Sequence, residues 1–329
     1  MITIKEIAKL ANASSSTVSR VLNDSGYVSE ETRKRVLKVI EETGYIPSEQ
    51  AKSLRTKKTS VIGVIIPRLS TDTTSRLVNA INDELAKKGY QIILTNTNLH
   101  AEKEVEHIKL LRSRQVDGLI LIATNVNDVL LKEIRNSPTP IVVIGQEIPG
   151  VSVIVNRDFE AAKQMTQLII ENGHNKIGFI GVHETDKAVG VDRKAGYLAA
   201  LNGAGIPVNE QWIVDANFDY QTGYRAMKQM MEQSTIKPTA VLTVTDTIAI
   251  GAMQYMHEHH LAIPDDIAIT GMGNSKVSQY IVPSLTTIDF LNEQTGKEAA
   301  RLILNIIDGK EKRPKKIQMK YRIIKRDSV

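Results

Sequence analysis

Between Ser14 and Arg20 the chain reads Ser-Ser-Ser-Thr-Val-Ser-Arg, a concentration of hydroxyls closed by a guanidinium. At helical spacing Val18, Val21 and Leu22 share one face, which leaves Ser15, Ser16, Thr17, Ser19 and Arg20 pointing outward. Serine can meet either base pair and arginine matches guanine O6 and N7, so this face suits reading a duplex rather than making or breaking bonds. A second set of polar residues follows the apolar runs of the later sequence: Pro67-Arg68-Leu69, Thr95-Asn96, Gly145-Gln146, Thr245-Asp246 and Gly273-Asn274. Side chains at such places line ligand crevices in open α/β sheets. Catalysis has little to work with. The absence of cysteine removes disulfides, thiolate nucleophiles and Cys-type zinc sites. Asp246 stands without a glycine-rich phosphate loop, a nucleophile elbow or a paired acid. His257-Glu258-His259-His260 falls near the end of a polar helix with no second cluster, and reads as solvated histidines rather than a metal site. Neither an enzyme nor a cofactor is expected.

Short helices must present the first set. Thr3-Ile4-Lys5-Glu6 has capping-box spacing, and Ile4, Ile7, Ala8 and Ala11 then share a face until Asn12 and Ala13 break the pattern. Ser14 caps a second helix after a turn of about three residues, and Ser29 caps a third that runs through Val36, Leu37 and Ile40 to Gly44. Two short helices at a tight turn, the second rich in donors, can place side chains in a major groove; the alternative is an ordinary three-helix bundle with solvated serines. After Tyr45-Ile46-Pro47, Ser48 would cap a two-turn helix, Glu49 to Arg55, too short to be stable alone. Its apolar Leu54, one turn beyond Ala51 and flanked by Lys52, Arg55, Lys57 and Lys58, suits a wedge in a minor groove, and otherwise the segment is a basic linker.

Composition and charge agree with a binding protein of several units. At 329 residues, with 42% hydrophobic and 24% charged residues, the chain exceeds one simple domain of roughly 100–200 residues. Residues 1–60 hold 11 Lys/Arg against 7 Asp/Glu and residues 310–329 hold 9 against 2, so basic ends flank an acidic middle. Lys5, Glu6 and Lys9 interrupt any signal-like run at the start, and no window offers about 18 apolar residues, so a cytoplasmic protein without a membrane partner is expected. From Ser60 onward Val61–Ile66, Ile92–Leu94, Leu119–Ala123, Ile141–Ile144, Ile177–Gly181, Ala240–Val244 and Ile267–Thr270 read as buried strands alternating with helices, the pattern of parallel sheets, here two of about half the length each. The alternating tail from Lys315 to Arg326 reads as a surface strand away from DNA.

Thr3 to Ala11, Ser16-Thr17-Val18-Ser19-Arg20-Val21-Leu22-Asn23, Tyr45-Ile46-Pro47 and Ala51-Lys52-Ser53-Leu54-Arg55 together resemble the lactose/galactose repressor family of bacterial transcription regulators. The likeness continues in Gly63 to Pro67, Val116-Asp117-Gly118, Thr245 to Ala252 and Pro283 to Ile288, and so spans essentially the whole chain. It implies an α/β protein with a helix-turn-helix head (1–46), a hinge helix and linker (47–59) and a two-lobed, periplasmic-binding-protein-like effector domain (60–329). Lobe 1 would hold about 60–157 and 290–314, lobe 2 about 158–289 and 315–329. The resemblance places Ser15, Ser16 and Arg20 on bases, Thr17, Ser19, Asn23 and Tyr27 on phosphates, and Ala51 and Leu54 in the minor groove. Many relatives carry a larger side chain at Ser15 or Ser16. It also implies a homodimer on a roughly palindromic operator, with Arg193 and Asp246 contacting an effector and Phe218 stacking on it.

Gly145-Gln146 stands where many relatives have an Asp-Arg pair and Gly273-Asn274 where they have paired carboxylate or amide residues, so two acidic sugar contacts are absent. Ile65-Ile66-Pro67-Arg68, Gly181-Val182 with Arg193 beyond, and Gly273-Asn274 are most similar to trehalose-type repressors, whose effector is trehalose 6-phosphate. Effector contacts are therefore expected at Arg68, Gln146, Arg193, Phe218, Asp246 and Asn274. Arg68 and Arg193 would hold a phosphate; alternatively Arg68 pairs with Asp72 and the sugar is neutral. The expected function is repression of a sugar-utilisation operon. The alternatives are a global catabolite regulator with a phosphorylated carrier protein as corepressor, and a sugar receptor without a DNA function.

Overall fold

The computed structural model describes residues 2–45 and 58–329. The hinge residues Ala51 and Leu54 lie outside them. The described chain divides into two compact units, 1–59 and Ser60–Val329.

Three helices make the first unit: α1 (Ile4–Leu10), α2 (Ser15–Leu22) and α3 (Glu30–Thr43). Each begins at a side-chain cap. Thr3 and Glu6 close the capping box, Ser14 accepts from the Thr17 N–H, and Ser29 accepts from the Thr32 N–H. A cap of this kind stabilises a helix by about 1 kcal/mol, which matters for helices of two turns. Asn12 takes the left-handed conformation in the turn and Gly44 takes it after α3. The core is small: Ile7, Ala8, Ala11, Val18, Val21 and Val36 are buried. Leu37 is 48% exposed, while Val36, Val39 and Ile40 face the core from α3. Arg35 donates from Nε to the Ala11 carbonyl at 2.7 Å and so ties α3 to the turn.

The second unit alternates strands and helices: β1 (Val61–Ile66), α4 (Asp72–Ala86), β2 (Gln91–Asn96), α5 (Ala101–Ser113), β3 (Gly118–Ile122), α6 (Asp128–Arg135), β4 (Ile141–Ile144), β5 (Ser152–Val155), α7 (Asp158–Glu171), β6 (Ile177–Val182), α8 (Arg193–Gly203), β7 (Ile213–Ala216), α9 (Tyr220–Gln233), β8 (Ala240–Thr243), α10 (Asp246–Glu258), β9 (Ala268–Thr270), β10 (Thr287–Asp289), α11 (Asn292–Ile307), β11 (Lys316–Gln318) and β12 (Arg322–Ile324). A six-stranded sheet runs β11-β5-β4-β3-β1-β2 and a four-stranded sheet runs β7-β6-β8-β9, parallel throughout. β10 and β12 pair antiparallel in a separate two-stranded sheet. Strands with helices on both faces read as unbroken apolar runs, as β1 and β4 do.

Two sequence expectations change. β2 is an edge strand, and Ile93 and Leu94 are 39% and 37% exposed rather than buried. The tail is two strands, not one: Lys316–Gln318 pairs with β5 in the first sheet, so the chain returns to the second lobe only after Gln318, later than residue 315. Backbone pairing with β5 decides this, and alternation along the tail cannot reveal it. Beyond β12, Ser328 exchanges hydrogen bonds with Ile269 and Thr286 and fastens the end of the chain to β9.

Candidate functional site

The head presents α2 with its polar face outward. Ser15 and Arg20 are exposed, and the Arg20 stem runs over Gly26, whose left-handed φ of 69° lets the chain fold back there. Ser16 and Thr17 hydroxyls both meet the Ser14 capping oxygen, at 2.7 and 2.8 Å, which orients them at the helix start. Asn23 caps the other end, donating from its amide to the Ser19 carbonyl at 2.6 Å and approaching the Ser19 hydroxyl at 3.3 Å. Tyr27 is 90% exposed and, with Thr17, Asn12 and Arg35, rims a shallow concavity beside the turn. Among the residues expected to meet DNA, Ser15, Ser16, Arg20, Asn23 and Tyr27 are exposed and Thr17 and Ser19 are partly exposed.

In the second unit, the carboxyl ends of β1, β3, β4, β6, β8 and β9 open onto one cavity of about 190 Å³, where chain connections diverge on either side of β1 and β6. That is far above the ~10–15 Å³ a single water needs on this measure, so the cavity has room for a small ligand. Arg68, Gln146, Arg193, Phe218 and Asp246 all line it. Asn274 does not. Its amide oxygen accepts from Arg326 at 2.8 Å, and its neighbours Gly273 and Ser275 line the cavity instead.

The cavity's charges are arranged around two arginines. Arg68 donates to the Phe218 carbonyl at 2.8 Å, and among the described residues no carboxylate forms an ion pair with it; Asp72 lies 3.6 Å from Arg76 instead. Arg193, first residue of α8, is only 6% exposed. Asp158 takes its Nε and Nη2 at 2.7 and 2.6 Å, the Val244 carbonyl accepts from Nη1, and the Phe290 ring lies 4.6 Å from the guanidinium carbon. A π-helical turn, Lys187–Asp192, delivers Arg193 to this position. There Gly190 passes so close to the His183 carbonyl that a Cβ would meet it at 2.4 Å.

Carboxylates reach the cavity from places the sequence reading overlooked. Asp158 follows β5, whose short Ser-Val-Ile-Val run was the available signal, and Asp186 follows β6 and caps the π-helical turn. Gln146 donates to Asp186 at 2.8 Å. Burial pushes Asp158 up against the pull of Arg193, and raises Asp186 and Asp246 as well. Asp246 accepts from the Thr287 hydroxyl and from the Ser275 N–H at 2.6 Å, which fixes its carboxylate at the cavity wall. The lack of acids at Gly145-Gln146 and Gly273-Asn274 thus does not make the cavity free of carboxylates.

Comparison with known proteins follows the same division. Residues 3–48 match the family "Bacterial regulatory proteins, lacI family", and residues 166–329 match the "Periplasmic binding protein-like domain". The chain is 34% identical over 333 residues to the HTH-type transcriptional repressor PurR of Escherichia coli O1:K1, covering 100% of this chain and 97% of that one. It is 32% identical over 332 residues to the protein of the same name from Vibrio campbellii, covering 100% and 99%. Among solved structures, a transcriptional regulator CelR-cellobiose complex aligns over 100% of both chains with TM-score 0.77 and 26% identity. The lac repressor dimer bound to operator and the anti-inducer ONPF aligns over 99% and 98% with TM-score 0.88 and 24% identity, a likeness of fold. Among the described residues no helix is long and apolar enough to cross a membrane. A helix-turn-helix head, a two-lobed ligand cleft and full-length relatives that are repressors rather than enzymes lead to one assignment: the chain is a DNA-binding transcriptional repressor of the lacI family of bacterial regulatory proteins.

Proposed function

We propose that this repressor controls a sugar-utilisation operon and that its effector is a sugar phosphate, a disaccharide 6-phosphate such as trehalose 6-phosphate. One observation carries the choice of phosphate: Arg68 lines the cavity with its guanidinium on a main-chain carbonyl and, among the described residues, on no carboxylate. A planar guanidinium in that situation suits a phosphate through paired charge-assisted bonds. Arg193 also lines the cavity, paired with Asp158 and lying against Phe290 and the Val244 carbonyl, so of the two arginines Arg68 is the one without a carboxylate and carries the phosphate contact, with Arg193 beside it. Phe218, Gln146 and Asp246 supply a stacking face and polar contacts for the sugar. The complex of CelR with cellobiose supports a disaccharide-sized effector.

Two copies acting as a homodimer would place their α2 helices in successive major grooves of a roughly palindromic operator in the cytoplasm. The exposed Ile93 and Leu94 on β2 and Leu110 on α5 support a second copy packing along the first lobe. Ser15, Ser16 and Arg20 would read bases, Thr17, Ser19, Asn23 and Tyr27 would hold phosphates, and Ala51 and Leu54 would enter the minor groove. The division into head, hinge and effector domain at about 46 and 59 belongs to the same proposal.

Calorimetry with trehalose 6-phosphate and trehalose, together with operator mobility shifts at one salt concentration, tests this function. Tighter binding of the phosphate, with a matching change in operator affinity, is expected because linkage is reciprocal. Equal affinity for both sugars refutes the phosphate. In the same assay Leu54→Ala should lower operator affinity and leave sugar binding intact.

A further inference from the structure

Polar atoms buried in a folded protein nearly always find a hydrogen bond, so the ones that do not mark places built for something else. Among the described residues with such atoms, Asp72, Ser275 and Asn292 line the ligand cavity: Asp72 Oδ2 has no partner beyond its 3.6 Å ion pair with Arg76, the Ser275 hydroxyl has none beyond the neighbouring Asp246 carboxylate, and Asn292 Nδ2 is buried with no hydrogen-bond partner. They come from three separate parts of the chain, and Arg76 contacts Asp72 itself and the chain neighbours of the other two. Arg76 lies 3.6 Å from Asp72, holds Glu293 beside Asn292 at 2.7 and 2.8 Å, and donates at 2.9 Å to the carbonyl of Asn274 beside Ser275. The same arginine thus fixes the backbone on both sides of the cluster.

Asn292 is the centre of it. The residue is only 5% exposed, and its amide nitrogen Nδ2 is buried without a hydrogen-bond partner. Its position also carries strain. Leu291, immediately before it, adopts the left-handed conformation at φ 54° and ψ 47°, which a leucine avoids, and its N–H is captured by Asp289 Oδ1 at 3.0 Å. The chain thus bends against its preference and starts α11 with an unbonded amide nitrogen in the cavity wall. Strained backbone and unsatisfied polar atoms together are the mark of a site arranged for a ligand.

We propose that Asn292, with Asp72 and Ser275, forms a hydroxyl-reading subsite that selects the stereochemistry of one sugar ring. An amide offers a donor and an acceptor side by side, which matches two neighbouring ring hydroxyls; a carboxylate oxygen accepts from a third, and a serine hydroxyl can do either. Such a subsite rejects a sugar lacking the matched hydroxyl, because the buried amide is then left unpaired in the complex. The assignment rests on the sugar-effector reading above and adds which residues distinguish one sugar from another.

The test uses the full-length protein with trehalose 6-phosphate, trehalose and cellobiose, and with monodeoxy analogues of whichever binds. Wild type should prefer its sugar over at least one monodeoxy analogue by tenfold or more. Asn292→Ala should bind the parent sugar at least tenfold more weakly and lose that preference. Ligand-free melting of Asn292→Ala and Asn292→Leu should occur at or above the wild-type temperature, since the buried amide nitrogen makes no hydrogen bond to lose. A wild-type preference that survives in Asn292→Ala, or a lowered ligand-free melting temperature with equal losses for every analogue, makes Asn292 structural and overturns the subsite. If wild type binds none of the three sugars, the effector reading falls and takes the subsite with it.

Discussion

Arg68, directly after the first strand of one lobe, donates its Nη1–H to the carbonyl of Phe218, directly after a strand of the other, at 2.8 Å. The bond spans the cleft, so a ligand that engages Arg68 also acts on how the lobes meet. Arg68→Ala should weaken trehalose 6-phosphate by about tenfold to a hundredfold, the range for hydrogen bonds to a charged group at about 1.5–3 kcal/mol, and barely change trehalose. Titration calorimetry of the two sugars decides it, and an equal loss for both would assign Arg68 to lobe closure alone.

The buried pair Arg193 and Asp158 makes a stability prediction. Removing the guanidinium leaves Asp158, which has 5% side-chain exposure, as an uncompensated charge, at a cost of about 3–5 kcal/mol. Arg193→Ala should therefore melt markedly below wild type, whereas Arg193→Met with Asp158→Leu should recover much of the loss. A single variant that melts with wild type would show that water or a shifted side chain already satisfies the aspartate.

Glu104 supplies a pH dependence. It is 1% exposed, its Oε1 accepts from the Thr124 N–H and hydroxyl at 3.1 and 2.9 Å, and burial pushes its carboxyl up from 4.5 to about 7. Above pH 4.5 the unfolded chain loses a proton that the folded chain keeps until about 7, so its contribution to stability falls as pH rises through that window. Glu104→Gln has no such proton. The variant should melt close to wild type near pH 4 and above it at pH 8, by at most about 3 kcal/mol for a shift of this size. A gap between the two melting temperatures that stays constant with pH would be incompatible with this account.

On the head, Arg20→Ala should cost about 1–3 kcal/mol on the operator and far less on random DNA, as for a side chain that reads a base edge. Fluorescence anisotropy with both duplexes at one salt concentration provides the comparison. Parallel losses would instead place Arg20 on a phosphate.

Local physics was legible in the residues themselves. Thr3 and Glu6, Ser14 and Ser29 announce helix starts because a cap is made within three residues, and the apolar runs at Val61–Ile66 and Ile141–Ile144 announce strands covered on both faces. The resemblance named Arg193, Phe218 and Asp246, and the strand ends added Arg68 and Gln146; all five line the cavity, and Asn274 does not. Asp158 and Asp186 escaped because short β5 went unread and because a carboxylate's partner can lie far along the chain, as Arg193 does at 35 positions from Asp158. Exposure of β2, entry of Lys316–Gln318 into the first sheet and the burial of Asn292 depend on which surfaces other elements cover. The sequence by itself determined the caps, the strand-forming runs and the donor-rich helix, since those rest on contacts between near neighbours. Only the tertiary structure decided which charges meet and which polar atoms are left without partners, since burial and pairing arise when distant segments close over one another.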